Sequence, residues 1–129
     1  MPLEKFTRIY KGSEVIFEES SVGFEMYIVH SGDVQLTKRT DGGQAITLAQ
    51  LREGDFFGEM AIIDGSPRSA QATAGEDGAT LIALDMAKFL YLIQQQPEFA
   101  LTIMRTLCQR IRESNIALAR EGARQEPCR

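Results

Sequence analysis

Histidine occurs once in this sequence, as His30, and cysteine only twice, as Cys108 and Cys128. One imidazole falls short of the two or three that a metal-dependent enzyme on a double-sheet β-scaffold uses beside a carboxylate. It also leaves no Ser–His–Asp or Cys–His set to assemble, so no catalytic residue and no metal ligand is assigned and no enzyme is expected. His30 lies inside an apolar run and reads as a structural or surface residue. Two distant cysteines are too few for a disulfide scaffold or a zinc cluster, and they read as reduced thiols. Nothing approaches the roughly 18 consecutive apolar residues needed to cross a bilayer. The N-terminal Met1-Pro2-Leu3-Glu4-Lys5 lacks the basic-then-apolar layout of a signal peptide, which makes the cytoplasm the expected compartment, with no membrane partner. A basic surplus is missing as well. Fourteen Lys and Arg face 18 Asp and Glu, a net charge of −4, whereas nucleic-acid-binding domains usually carry positive excess. No nucleic-acid partner is expected.

What is present is ordinary globular material. With 129 residues, 43% hydrophobic and 25% charged, the chain is the size of one domain with one core. Residues 5–85 carry short β-branched and aromatic segments: Lys5–Tyr10, Glu14–Glu18, Glu25–Ser31, Asp33–Arg39, Gln44–Leu51 and, last, Thr80–Leu84. Turn signals separate them at Lys11-Gly12-Ser13, Gly23, Ser31-Gly32-Asp33, Asp41-Gly42-Gly43 and Glu53-Gly54-Asp55. Spacing of roughly 8–12 residues between turns points to a sandwich, roll or barrel. Residues 86–121 change to helical periodicity, without glycine and with Pro97 as sole proline, which suits a first helical turn. A short helix at about 86–95 and a long one at about 97–120 are expected. Gly122 sits where a C-cap glycine is common, and 122–129 reads as a polar tail.

The segment from Phe57 to Ala74 is different in kind. Gly58 permits a sharp entry, Glu59–Ile63 can form one helical turn, and Asp64-Gly65-Ser66-Pro67 breaks it before a strand begins near Ser69. A short helix starting beside a glycine presents backbone N–H groups to an anion. Arg68 follows with a planar fork suited to phosphate oxygens, and Ser69 adds a hydroxyl. Glu59, an acceptor when ionised, needs a donor such as a sugar hydroxyl. One phosphate and one ribose hydroxyl satisfy the group.

The string F-G-E-x-A, a short gap, then P-R-S-A resembles the phosphate-binding cassette of the cyclic-nucleotide-binding domain family, which includes catabolite activator protein, protein kinase A regulatory subunits and cyclic-nucleotide-gated channels. Gly12, Gly23, Tyr27-Ile28-Val29, Ser31-Gly32 and Gly54-Asp55 also fall in family-like positions, so the likeness covers residues 5–120. The resemblance implies an α+β fold: an antiparallel β-roll, jelly-roll-like, with a short cassette helix and C-terminal helices. It implies that cAMP or cGMP is the ligand, with no cofactor. Glu59 would take the ribose 2′-hydroxyl, Arg68 the cyclic phosphate, and Gly58, Met60, Ala61, Ser69 and Ala70 would complete the pocket. On the long helix, Arg110 falls at the spacing where some members place an arginine against the base.

Leu101, Met104, Cys108, Ile111, Asn115 and Leu118 recur at alternating steps of 3 and 4, a short heptad seam that fits either pairing with a second copy or packing on the protein's own β-half. Catabolite-activator-like proteins pair through the matching helix, so a homodimer through 97–120 is expected. About nine residues follow Ala119–Arg120, too few for a helix-turn-helix, and output would pass through the dimer or an unknown downstream protein. The alternatives are a member that has lost its nucleotide and serves as a dimerising scaffold, and a haem or redox sensor that would have to use His30.

Overall fold

The computed structural model describes residues 3–125. A 3-10 turn at Leu3–Phe6 leads into β1 (Thr7–Tyr10), β2 (Val15–Phe17), β3 (Glu25–Arg39), β4 (Ala45–Leu51) and β5 (Phe56–Phe57). Then come α1 (Met60–Ile63), β6 (Gln71–Asp85), α2 (Met86–Gln95) and α3 (Pro97–Gln125). The strands form one six-stranded antiparallel sheet in the order β1-β6-β3-β4, with β2 added on β6 and β5 on β3. The chain divides into two compact units, one through Phe89 and one from Leu90, with the boundary inside α2.

Two long strands organise the first unit. The early part of β3 pairs with the late part of β6 (Tyr27 opposite Ala83, Val29 opposite Leu81), and the late part of β3 with the start of β6 (Val34 opposite Ala74, Leu36 opposite Ala72). Between these stretches the register shifts at Val29/Ser31 and at Gly32/Val34. Such bulges bend a strand and sharpen its twist. Side chains from both stretches therefore meet in one core: Tyr27, Val29, Leu81 and Ala83 with Val34, Leu51, Ala72 and Ala74, joined by Phe57. The β6 strand contributes mostly alanines, whose small size leaves room for the larger residues opposite.

Several local expectations needed correction. Ser31-Gly32-Asp33 is no hairpin turn; a pair of bulges keeps β3 continuous through it. The two expected strands near Ser69 and at Thr80–Leu84 are one strand, β6. Lys5 and Phe6 belong to the 3-10 turn rather than β1. The two-residue β5 was missed because alternation is invisible at that length. Helix α3 passes through Gly122, since Ala117–Glu121 and the residues after it are strong helix formers and one interior glycine costs only about 1 kcal/mol. Residues 126–129 of the expected polar tail lie outside the described residues.

In the second unit, the Gln96 N–H donates to the Leu92 carbonyl at 2.8 Å, and the Gln96 carbonyl accepts from Phe99 at 2.9 Å. One helix is thereby closed as the next opens at Pro97. Every residue of α3 from Ile111 to Glu121 is exposed.

Candidate ligand-binding site

Gly58 enters the cassette with φ +77°, a conformation that side chains resist, and a Cβ there would stand 2.7 Å from Arg68 Nη1. Its carbonyl accepts from the Ala61 N–H (3.3 Å), and the Glu59 carbonyl accepts from Ile62 (3.2 Å) and Ile63 (3.0 Å). These bonds wind the single turn of α1. Asp64 ends it: its carboxylate accepts from the Ser66 N–H at 2.9 Å, and the Ser66 hydroxyl, followed by that N–H, holds the carboxyl below the usual range.

Arg68 is fixed by its main chain and by its side chain. Its N–H donates to the Ser21 carbonyl at 2.8 Å, and its own carbonyl accepts from Ser20 at 2.7 Å. Its guanidinium lies 4.1 Å from the Phe17 ring centroid and 5.7 Å from that of Tyr27. Phe57 supports both rings, stacked on Tyr27 at 5.2 Å and tilted against Phe17 at 5.8 Å. Such faces attract a cation. Nη1 donates to the Gly58 carbonyl at 3.1 Å. A Cβ at Gly23 would run into the guanidinium from the other side, so that position has no room for a side chain.

The electrostatics of this arrangement are unusual. Glu59 (3% exposed) and Arg68 (6%) are the only charged side chains buried among the described residues. Buried charges are normally paired. Yet Arg68 Nε is buried with no hydrogen-bond partner among the described residues. Burial lowers the Arg68 pKa from its ordinary value, against the opposing pull of Tyr27 and Glu25. Arg68 opens on a cleft of about 480 Å³, also lined by Phe17, Val22, Gly23, Glu25 and Tyr27. That volume suits a small organic ligand.

The structure thus joins Gly58 to Arg68 in direct contact and buries Glu59, Ala61 and Ala70, while Met60 and Ser69 are exposed. Glu59 is buried next to Gly58 but is not among the residues lining the Arg68 cleft. The Ser69 carbonyl accepts from Lys38 Nζ at 2.9 Å. Arg110 is half-buried on α3, in the second unit. Phe17, Tyr27, Glu25 and Arg8 were not foreseen as site residues, because stacking and ion pairing between separate strands leave no mark on local spacing. Gly23 did carry a signal: a glycine flanked by Val22 and Phe24, which are not turn residues, points to a close backbone approach. Among the described residues no group of three His, Cys, Asp or Glu side chains could hold a metal ion, and no helix is long and apolar enough to cross a membrane.

Comparison with known proteins fits this geometry. Residues 7–96 match the family model described as cyclic nucleotide-binding domain. The chain is 40% identical over 111 residues to the cyclic AMP receptor protein of Thermus thermophilus, covering 86% of this chain and 51% of that protein. It is 34% identical over 103 residues to a cyclic nucleotide-gated potassium channel of Rhizobium etli, covering 80% of this chain and 27% of the channel. The crystal structure of Thermus thermophilus catabolite activator protein superposes with a TM-score of 0.84 at 38% identity, over 93% of this chain and 56% of that one. The chain therefore spans about half the length, or less, of the curated relatives it matches. The cassette, the antiparallel sheet and the C-terminal helices are those of a relative of these proteins, and the chain belongs to the cyclic nucleotide-binding domain family.

Proposed function

We propose that this chain binds cAMP or cGMP at the Arg68 cleft as a regulatory ligand and performs no chemistry on it. The observation that carries the reading is the buried guanidinium of Arg68, whose Nε lacks a hydrogen-bond partner. A cyclic phosphate supplies the single negative charge and the acceptor oxygens that this group lacks. Each charge-assisted hydrogen bond contributes about 1.5–3 kcal/mol. Glu59 takes the ribose hydroxyl, an acceptor matched to a donor, with Gly58, Met60, Ala61, Ser69 and Ala70 around it. The names of its relatives, a cyclic AMP receptor protein and a cyclic nucleotide-gated channel, support the ligand class.

The signal leaves through α3. Leu101, Met104, Cys108, Ile111 and Leu118 of the heptad seam are all exposed, as an apolar stripe awaiting a second copy would be. The nucleotide drives such an output only by binding one arrangement of the chain better than another. Analytical ultracentrifugation of the wild type should show a dimer that Leu118→Asp dissociates; a monomeric wild type contradicts the pairing.

Calorimetric titration with cAMP and with cGMP, on the wild type and on Arg68→Ala, tests the ligand. Micromolar or tighter binding is expected, weakened at least about tenfold in the mutant. Absence of heat from protein cleared of co-purified nucleotide would instead make the chain a dimerising scaffold.

A further inference from the structure

Two carboxylates share the cleft with Arg68, Glu25 and Asp85, and either could compete with an anionic ligand for the guanidinium. Each is already engaged elsewhere. Asp85 Oδ1 accepts the Lys88 N–H at 2.9 Å, capping the first turn of α2. Glu25 is gripped from β1 by Arg8, with Nη1 on Oε1 at 2.6 Å and Nη2 on Oε2 at 2.5 Å, and Tyr27 Oη donates to Oε1 at 3.3 Å. Both oxygens of Glu25 are thus engaged by groups other than Arg68, although the two residues line one cleft and Glu25 exerts an electrostatic pull on Arg68.

We propose that Arg8 is a positioning residue for the ligand site: by holding Glu25 in a bidentate pair, it keeps the buried charge of Arg68 open to an anion. Without Arg8, the Glu25 carboxylate is released beside a desolvated cation lacking a partner at Nε. It then turns onto Arg68 and neutralises it, and the incoming phosphate has to displace it. The Arg8 side chain is 47% exposed, so solvent screens its pair with Glu25. Its geometry matters because of what the carboxylate would otherwise do. The inference rests on Arg68 as the seat of a cyclic nucleotide, and it adds a residue from a strand outside the cassette.

The test is a double-mutant cycle read by titration with cAMP, using wild type, Arg8→Gln, Glu25→Gln and the double variant, with Arg68→Ala as reference and thermal midpoints beside every affinity. Arg8→Gln should weaken binding about tenfold while barely moving the thermal midpoint. Glu25→Gln sets the affinity of a cleft from which the competing carboxylate has been removed, and serves as the reference for the double variant. The double variant should recover affinity to within about twofold, since no carboxylate remains to compete. Lys11→Gln removes the same unit of charge from the turn after β1 and should change nothing, which separates positioning from long-range attraction. If wild type binds, Arg68→Ala loses binding and Arg8→Gln is unaffected, this inference falls and the ligand site stands. A double variant as weak as Arg8→Gln alone overturns it as well, because Arg8 would then be acting on the ligand directly. A wild type that does not bind cAMP takes down both the ligand site and the inference.

Discussion

Between β3 and β6 the buried side chains are apolar and fully enclosed: Met26, Val29, Val34, Leu81 and Leu84. At the cassette, reached along the same strands, burial falls on Glu59 and Arg68, and one buried nitrogen has no partner. The first region gains from every buried methylene. In the second, desolvated charge opposes folding unless something compensates it. Phe17, Tyr27 and Phe57 are where the two regimes meet, with Tyr27 and Phe57 belonging to the apolar core and the Phe17 and Tyr27 rings carrying the guanidinium. The sheet holds its shape with apolar residues, whereas the cassette beside it buries charge.

Perturbing each region separately sharpens that contrast. The largest effect belongs to the core: Leu81→Ala should destabilise by about 2–5 kcal/mol, read by denaturant unfolding, while nucleotide affinity of the folded fraction stays unchanged. At the seam, burial and the neighbouring Glu25 push the Tyr27 phenol up to about 12 from 10. Below the ordinary value both folded and unfolded states hold the proton, and above it the unfolded chain gives it up first. Stability should therefore fall as pH rises from 10 towards 12, and Tyr27→Phe should flatten that part of the decline in thermal midpoint. The smallest effect lies beside the cassette, where Ser20 holds φ +70° while its N–H bonds the Arg68 carbonyl. Ser20→Gly relieves the left-handed conformation and should stabilise by about 0.5–1 kcal/mol without altering affinity.

Much of this was legible in the residues. Glycine-punctuated segments announced a β-rich half, the family resemblance implied that it is antiparallel, the loss of glycine after residue 85 announced α2, and Gly58-Glu59 with Pro67-Arg68-Ser69 marked the cassette. Local spacing determines such features, since a turn or a helical period is set by neighbours in the chain. The continuity of β3 was not legible, because Ser31-Gly32-Asp33 carries the same residue types whether the chain reverses or bulges. Nor was the platform beneath Arg68. Phe17 and Tyr27 come from different strands, and only the register of β2 and β3 against β6 places both rings under one guanidinium. The end of α3 was misjudged because a single glycine carries less weight than the helix formers around it.

The central claim is that Arg68 is a buried charge kept for an anion. Its most direct test is the thermal midpoint of wild type and Arg68→Met, each with and without saturating cAMP. Methionine suits a site walled by aromatic rings and removes the unpaired charge. The account predicts that Arg68→Met melts higher than the wild type without nucleotide, by about 1–3 kcal/mol of added stability, and gains nothing from cAMP, whereas the wild type is stabilised by it. A variant that melts lower and still responds to cAMP as the wild type does would contradict it.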